Sequence, residues 1–170
     1  MKILLAIIGF IGLVVAIVAA GFFFLGFFNV AATEADPDIV NQALIKVREA
    51  SIRRHAKEAP TGSLDDANLV RAGARAYGMR GCVACHGAPG AEWAKFSEGL
   101  NPGPPDLKEV APERTPAELF FVIKNGIKMT GMPSFKLAGV ADPEIWSIVA
   151  FVKKLPTVSE ADYKAWQAQP

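Results

Sequence analysis

Both cysteines and one of the two histidines of this 170-residue chain stand together in Cys82-Val83-Ala84-Cys85-His86. At this spacing two thiols take up the vinyl groups of a haem while the next residue coordinates its iron. One turn of chain sets the two sulfurs along one edge of the macrocycle and aims the adjacent imidazole at the metal. Two rival chemistries fit less well. A dithiol redox pair is expected beside a strand–helix unit, and a structural zinc site needs four ligands, whereas the only other histidine is His55. One covalently attached haem c is therefore expected. A porphyrin adds apolar surface that only the folded form buries, so the apo-domain is expected to be largely unfolded.

The second axial ligand must come from downstream. Asn125 to Phe135 supplies two thioethers, Met129 and Met132, and no other ligand of suitable softness. Cys82 to His86, Gly131-Met132-Pro133-x-Phe135 and a final helix with Trp146 together resemble the class I c-type cytochromes, especially bacterial single-haem domains, over roughly half of the chain. The resemblance implies that Met132 is the axial methionine; Met129 is the rival, or else packs at the haem edge. It implies that the Pro105 carbonyl accepts a hydrogen bond from His86, with Pro104 as the shifted alternative. It also implies that Gly73 and Tyr77 cross the last helix near Trp146. Cys82 lies one residue farther from Tyr77 than the family commonly has, and a bulge is expected there. A His86–Met132 pair would fill both axial positions and favour electron transfer at a raised potential, since a thioether stabilises ferrous iron. A ligand sensor or weak peroxidase with a labile methionine is the alternative.

The elements that must position these residues read as helices. Asp36-Pro37 reads as N-cap and first residue of a helix carrying Ile39, Val40, Ala43, Leu44 and Val47 at helical spacing. Its later half, with Arg48, Arg53, Arg54, His55 and Lys57, suits a solvated face or anionic headgroups. Asp65 or Asp66 can cap a helix through Val70, Gly73, Ala74 and Tyr77. Thr115-Pro116-Ala117-Glu118 is a capping box that opens a helix stopping at Asn125-Gly126, and Asp142-Pro143 begins one carrying Ile145, Trp146, Val149 and Val152. No segment alternates as a strand would, so the fold is expected to be all-α. The organisation expected is a transmembrane anchor over 1–30, an amphipathic helical spacer and hinge over 31–64, a cytochrome c domain over 65–157 and a tail over 158–170. The tail from Ser159 to Trp166 reads as a short helix that covers either this domain or a partner.

Hydrophobic residues make up 51% of the chain against 21% charged, and the mean hydropathy of +0.25 is high for a soluble protein of this size. The excess sits in one run. Ile3 to Phe28 has neither charge nor proline. As a helix it would be about 39 Å long, longer than the roughly 30 Å hydrocarbon core and well beyond a signal-peptide core. It reads as an uncleaved anchor, although Val30 and Ala32 also supply a small-residue cleavage pattern. Lys2 precedes the run and no further base appears until Lys46, which places the N-terminus in the cytoplasm and the haem domain in the periplasm of a bacterial inner membrane. Gly12, Ala16 and Ala20 form a small-residue stripe that would admit a neighbouring helix.

With Lys2 set aside, the basic residues equal the 17 acidic ones, which argues against nucleic acid as a partner. The partners expected are the lipid bilayer and a respiratory or photosynthetic redox complex: a quinol-oxidising complex, a terminal oxidase, a dehydrogenase or a reaction centre. The protein would serve it as tethered carrier or haem subunit rather than as an enzyme itself. Lys124, Lys128 and Lys136 flank the methionine loop and would either steer an acidic partner or form a solvated face.

Overall fold

The computed structural model describes residues 1–168 and divides into two units, Met1–Ala35 and Asp36–Pro170. The first is helix α1 (Lys2–Phe24) and a short tail. Its apolar window reaches a mean hydropathy of 3.1, and at about 1.5 Å per residue the helix is long enough to cross a membrane. It stops before the end of the apolar run. Gly26 turns the chain at φ 79°, and the Phe27 amide returns to the Phe22 carbonyl at 3.1 Å. This termination gathers Phe22, Phe23, Phe27 and Phe28 into one cluster of rings.

The second unit contains α2 (Asp38–His55), α3 (Ala67–Met79), α4 (Val83–His86), α5 (Leu107–Val110), α6 (Pro116–Asn125), α7 (Asp142–Lys154) and α8 (Glu160–Gln167), with short 3-10 turns at Lys95–Gly99 and Leu155–Thr157. No strand forms among the described residues; Ala88 and Ala91 share a single isolated bridge. Helix α2 begins one residue later than its sequence suggests. Pro37 has extended ψ and serves as N-cap, its carbonyl accepting from the Val40 and Asn41 amides. Asp66 caps α3 through the Asn68 and Leu69 amides, and Thr115 with Glu118 closes the capping box of α6 in both directions.

Helices α3 and α7 form the centre of the core. A Cβ on Gly73 would lie 1.8 Å from the Ser147 carbonyl oxygen, so only glycine lets the two backbones approach this closely. Gly73 and Tyr77 cross α7 beside Trp146, as the resemblance implies, but the ring that meets Tyr77 in the crossing is that of Phe151. Tyr77 meets Phe151 edge to face, at 5.2 Å between centroids, while Trp146 turns away and stacks on Phe120 of α6 at 4.0 Å. The reason is helical phase: with Ser147 against Gly73, the residue one turn on, Phe151, shares that face. The tail folds back on this domain. Tyr163 of α8 stacks on Phe151, and the Gln167 amide donates to the Ala74 carbonyl at 2.6 Å.

Candidate functional site

The paired cysteines follow directly from the end of α3. Gly81 takes φ 78°, its amide returns to the Gly78 carbonyl at 3.1 Å, and the Cys82 amide returns to that of Tyr77 at 3.1 Å. This double return is a Schellman termination. The extra residue between Tyr77 and Cys82 is therefore spent on a helix cap instead of a bulge. The chain then re-enters helix at once. The Cys85 and His86 amides both reach the Cys82 carbonyl, at 3.2 and 2.9 Å, which keeps both thiols and the imidazole within one turn.

His86 is held from its far side. Its Nδ1 lies 2.9 Å from the Pro105 carbonyl, which assigns the ring proton to Nδ1 and leaves Nε2 as the basic nitrogen. Pro105 itself, and not Pro104, makes this bond. Burial lowers the tendency of the ring to protonate, with the Pro105 bond and the Asp106 charge opposing it in part. A neutral imidazole is the form that binds metal. Burial pushes the Cys82 thiol up to about 12, the opposite of the depressed value that a redox-active dithiol needs. Tyr77 spans the site from below, donating its hydroxyl to the Gly87 carbonyl at 2.7 Å; burial drives its phenol strongly towards the protonated state.

The methionine loop is fixed by the end of α6. Gly126 has φ 69°, and a Cβ there would lie 2.7 Å from the Pro133 carbonyl carbon, so the loop packs directly on that glycine. The Ile127 amide donates to the Met132 carbonyl at 3.2 Å, and Thr130 accepts from the Met132 amide at 3.1 Å while donating to the Ile127 carbonyl at 2.8 Å. The two methionines separate sharply. Met132 is half-buried and lines a cavity, whereas Met129, the one non-glycine residue at positive φ among the described residues, is 92% exposed.

That cavity, of about 450 Å³, brings together Cys82, Cys85, His86, Pro105 and Met132. It falls within the roughly 300–1,000 Å³ of ligand sites, and its walls are mainly apolar, from Leu100, Leu107, Leu119, Val122 and Ile148. Two thiols, an imidazole with its second nitrogen engaged, and a thioether around an apolar slot fit a haem c.

The lysine cluster does not form as a unit. Lys124 is bound to Asp142 at 2.8 Å and lies over the Phe120 ring, and only Lys128 and Lys136 are exposed. Four participants escaped the sequence reading. Gly126 looked like a plain helix stop, and Thr130 carried no motif. Arg48 and Glu49 of α2 also line the cavity, although that helix read as a spacer.

Comparison with protein families matches residues 68–152, half of the chain, to the family described as cytochrome c oxidase, cbb3-type, subunit III. The searches of curated proteins and of solved structures return no match.

Proposed function

Because the chain belongs to this cbb3-type subunit III family and is a class I c-type cytochrome with covalently bound haem c, we propose that it is the membrane-anchored, single-haem electron-transfer subunit of a respiratory oxidase complex. Helix α1 anchors it, with the N-terminus in the cytoplasm and the haem domain on the periplasmic face. Cys82 and Cys85 would hold the porphyrin, and His86 and Met132 would ligate its iron. The observation that carries this reading is the shared cavity, which has the cysteine pair and His86 on one helical turn and Met132 on a braced loop.

When bound, the haem accepts and passes on single electrons. The residues of this chain supply the surroundings. Pro105 orients His86 and keeps its ligating nitrogen basic, which stabilises the ferric state. The Met132 thioether would favour the ferrous state, and with His86 and Met132 both engaged no ligand position would be left for substrate. Apolar walls exclude water, so little reorganisation accompanies each change of charge. The family name favours an oxidase as partner over a dehydrogenase or reaction centre.

The decisive experiment is purification of the tagged protein from native membranes. A red, covalently haem-stained band that copurifies with oxidase subunits is expected, together with a sulfur–iron absorption band that Met132→Ala abolishes and Met129→Ala leaves intact. Loss of that band in Met129→Ala alone would exchange the ligands. A haem protein recovered without other subunits would make it a tethered shuttle.

A further inference from the structure

The family match begins at residue 68, yet the cavity has a wall from outside it. Helix α2 sends Arg48, Glu49 and Ile52 to the lining, with Ile52 only 5% exposed and so already part of the folded unit. Glu49 is the hub. Its carboxylate receives both arms of the Arg114 guanidinium, Nη2 at 2.9 Å on Oε1 and Nη1 on Oε2, while Arg48 Nε and Nη2 each lie 3.2 Å from the same Oε1. The Arg114 hydrogen bond, first, and the neighbouring charges hold Glu49 well below the usual carboxylate range. Arg114 is braced from behind as well, because Lys153 Nζ holds its carbonyl at 3.0 Å and that of Ala111 at 2.9 Å.

Two guanidiniums thus share one carboxylate at the rim of an apolar cavity. The other carboxylate lining this side, Glu118, is engaged by the Thr115 amide at 2.9 Å and by the N-terminus of α6. Arg80, farther along the lining, is paired with Glu144. Arg48 spends its donors on an oxygen that Arg114 already uses, and its Nη1 has no acceptor among the described residues. A guanidinium with donors to spare beside an apolar slot suits a planar ligand that carries a carboxylate on its edge.

We propose that α2 is a functional wall of the haem site: Arg48 and Arg114 receive a carboxylate of the porphyrin, and Glu49 is the positioning residue that fixes both guanidiniums. The proposal rests on the haem c reading above, and it makes α2 a setter of the reduction potential instead of a spacer. Removing a cation beside the porphyrin stabilises the more positive ferric state, and removing an anion does the reverse.

The test uses the full-length holoprotein in detergent. Redox titration of Arg48→Gln is expected to show a fall in midpoint potential equivalent to about threefold or more in the one-electron equilibrium, and Glu49→Gln a rise. Arg48→Lys, which keeps the charge and loses the fork, should fall between Arg48→Gln and the parent. Arg53→Gln, on the exposed side of α2, controls for overall charge and should match the parent. Hydrogen exchange on the unsubstituted protein supplies a readout that needs no variant: amides from Ile45 to Ile52 should be protected. Equal potentials for Arg48→Gln and Arg53→Gln, or unprotected amides across that stretch, would overturn the proposal while leaving the haem spectrum and the electron-transfer reading intact. A parent protein without haem absorbance would defeat that reading instead.

Discussion

At the scale of single residues, the site depends on side chains whose bonds have no substitute nearby. The Tyr77 hydroxyl is the partner of the Gly87 carbonyl, one residue beyond His86, in a place only 1% exposed. Tyr77→Phe leaves that carbonyl unpaired and should cost about 1–3 kcal/mol in chemical denaturation of the holoprotein, with little change in the visible spectrum. Glu49 makes a different prediction, about acid. Its carboxyl is held below its ordinary value of 4.5, so its contribution is fully present above that pH and is lost as pH falls through the lower folded value. Stability measured from pH 7 to pH 5 should therefore stay level in this respect and decline below about 4.5. Glu49→Gln should flatten the decline but not abolish it, since Glu144 is shifted in the same direction by Arg80. An identical acid profile in the variant would assign the decline to other groups.

Among the elements, the α3–α7 crossing is the tightest contact and the least forgiving. Gly73→Ala sets a methyl against the Ser147 carbonyl, a backbone atom that no rotamer change can move. The helices must part, at a cost of about 3 kcal/mol. Because Tyr77 rests on Phe151 across the same crossing, the variant should also loosen the turn that carries the cysteines. Thermal melts followed separately in the far-ultraviolet and at the haem band would both move down; a melt unchanged within error would mean that the crossing is looser than the geometry indicates. The capping devices at Asp66 and Thr115 were legible because each is a local hydrogen bond between neighbours in sequence. The partner of Tyr77 was not, since the rotation of α7 about its axis depends on where Gly73 lets it settle.

For the whole molecule, the cavity takes walls from α2, the cysteine turn, the proline loop, α6, the methionine loop and α7, so a porphyrin held there would be packed by most elements of the second unit. Replacement of Cys82 and Cys85 by serine, which prevents attachment, should leave a chain with markedly reduced helical circular dichroism and no cooperative melt. Native-like helicity and a sharp transition in that variant would show a core that is sufficient without the haem. The sequence by itself determined the attachment motif, the helical class, the caps and the apolar N-terminal run, because each is written in residues close together along the chain. The family resemblance already favoured Met132 over Met129 and Pro105 over Pro104, and the structure agrees with both; tertiary structure alone decided that Lys124 is withdrawn into an ion pair and that α2 closes one side of the pocket. Each of those depends on which faces of distant helices meet, and that is settled by close packing over the whole core rather than by any local pattern.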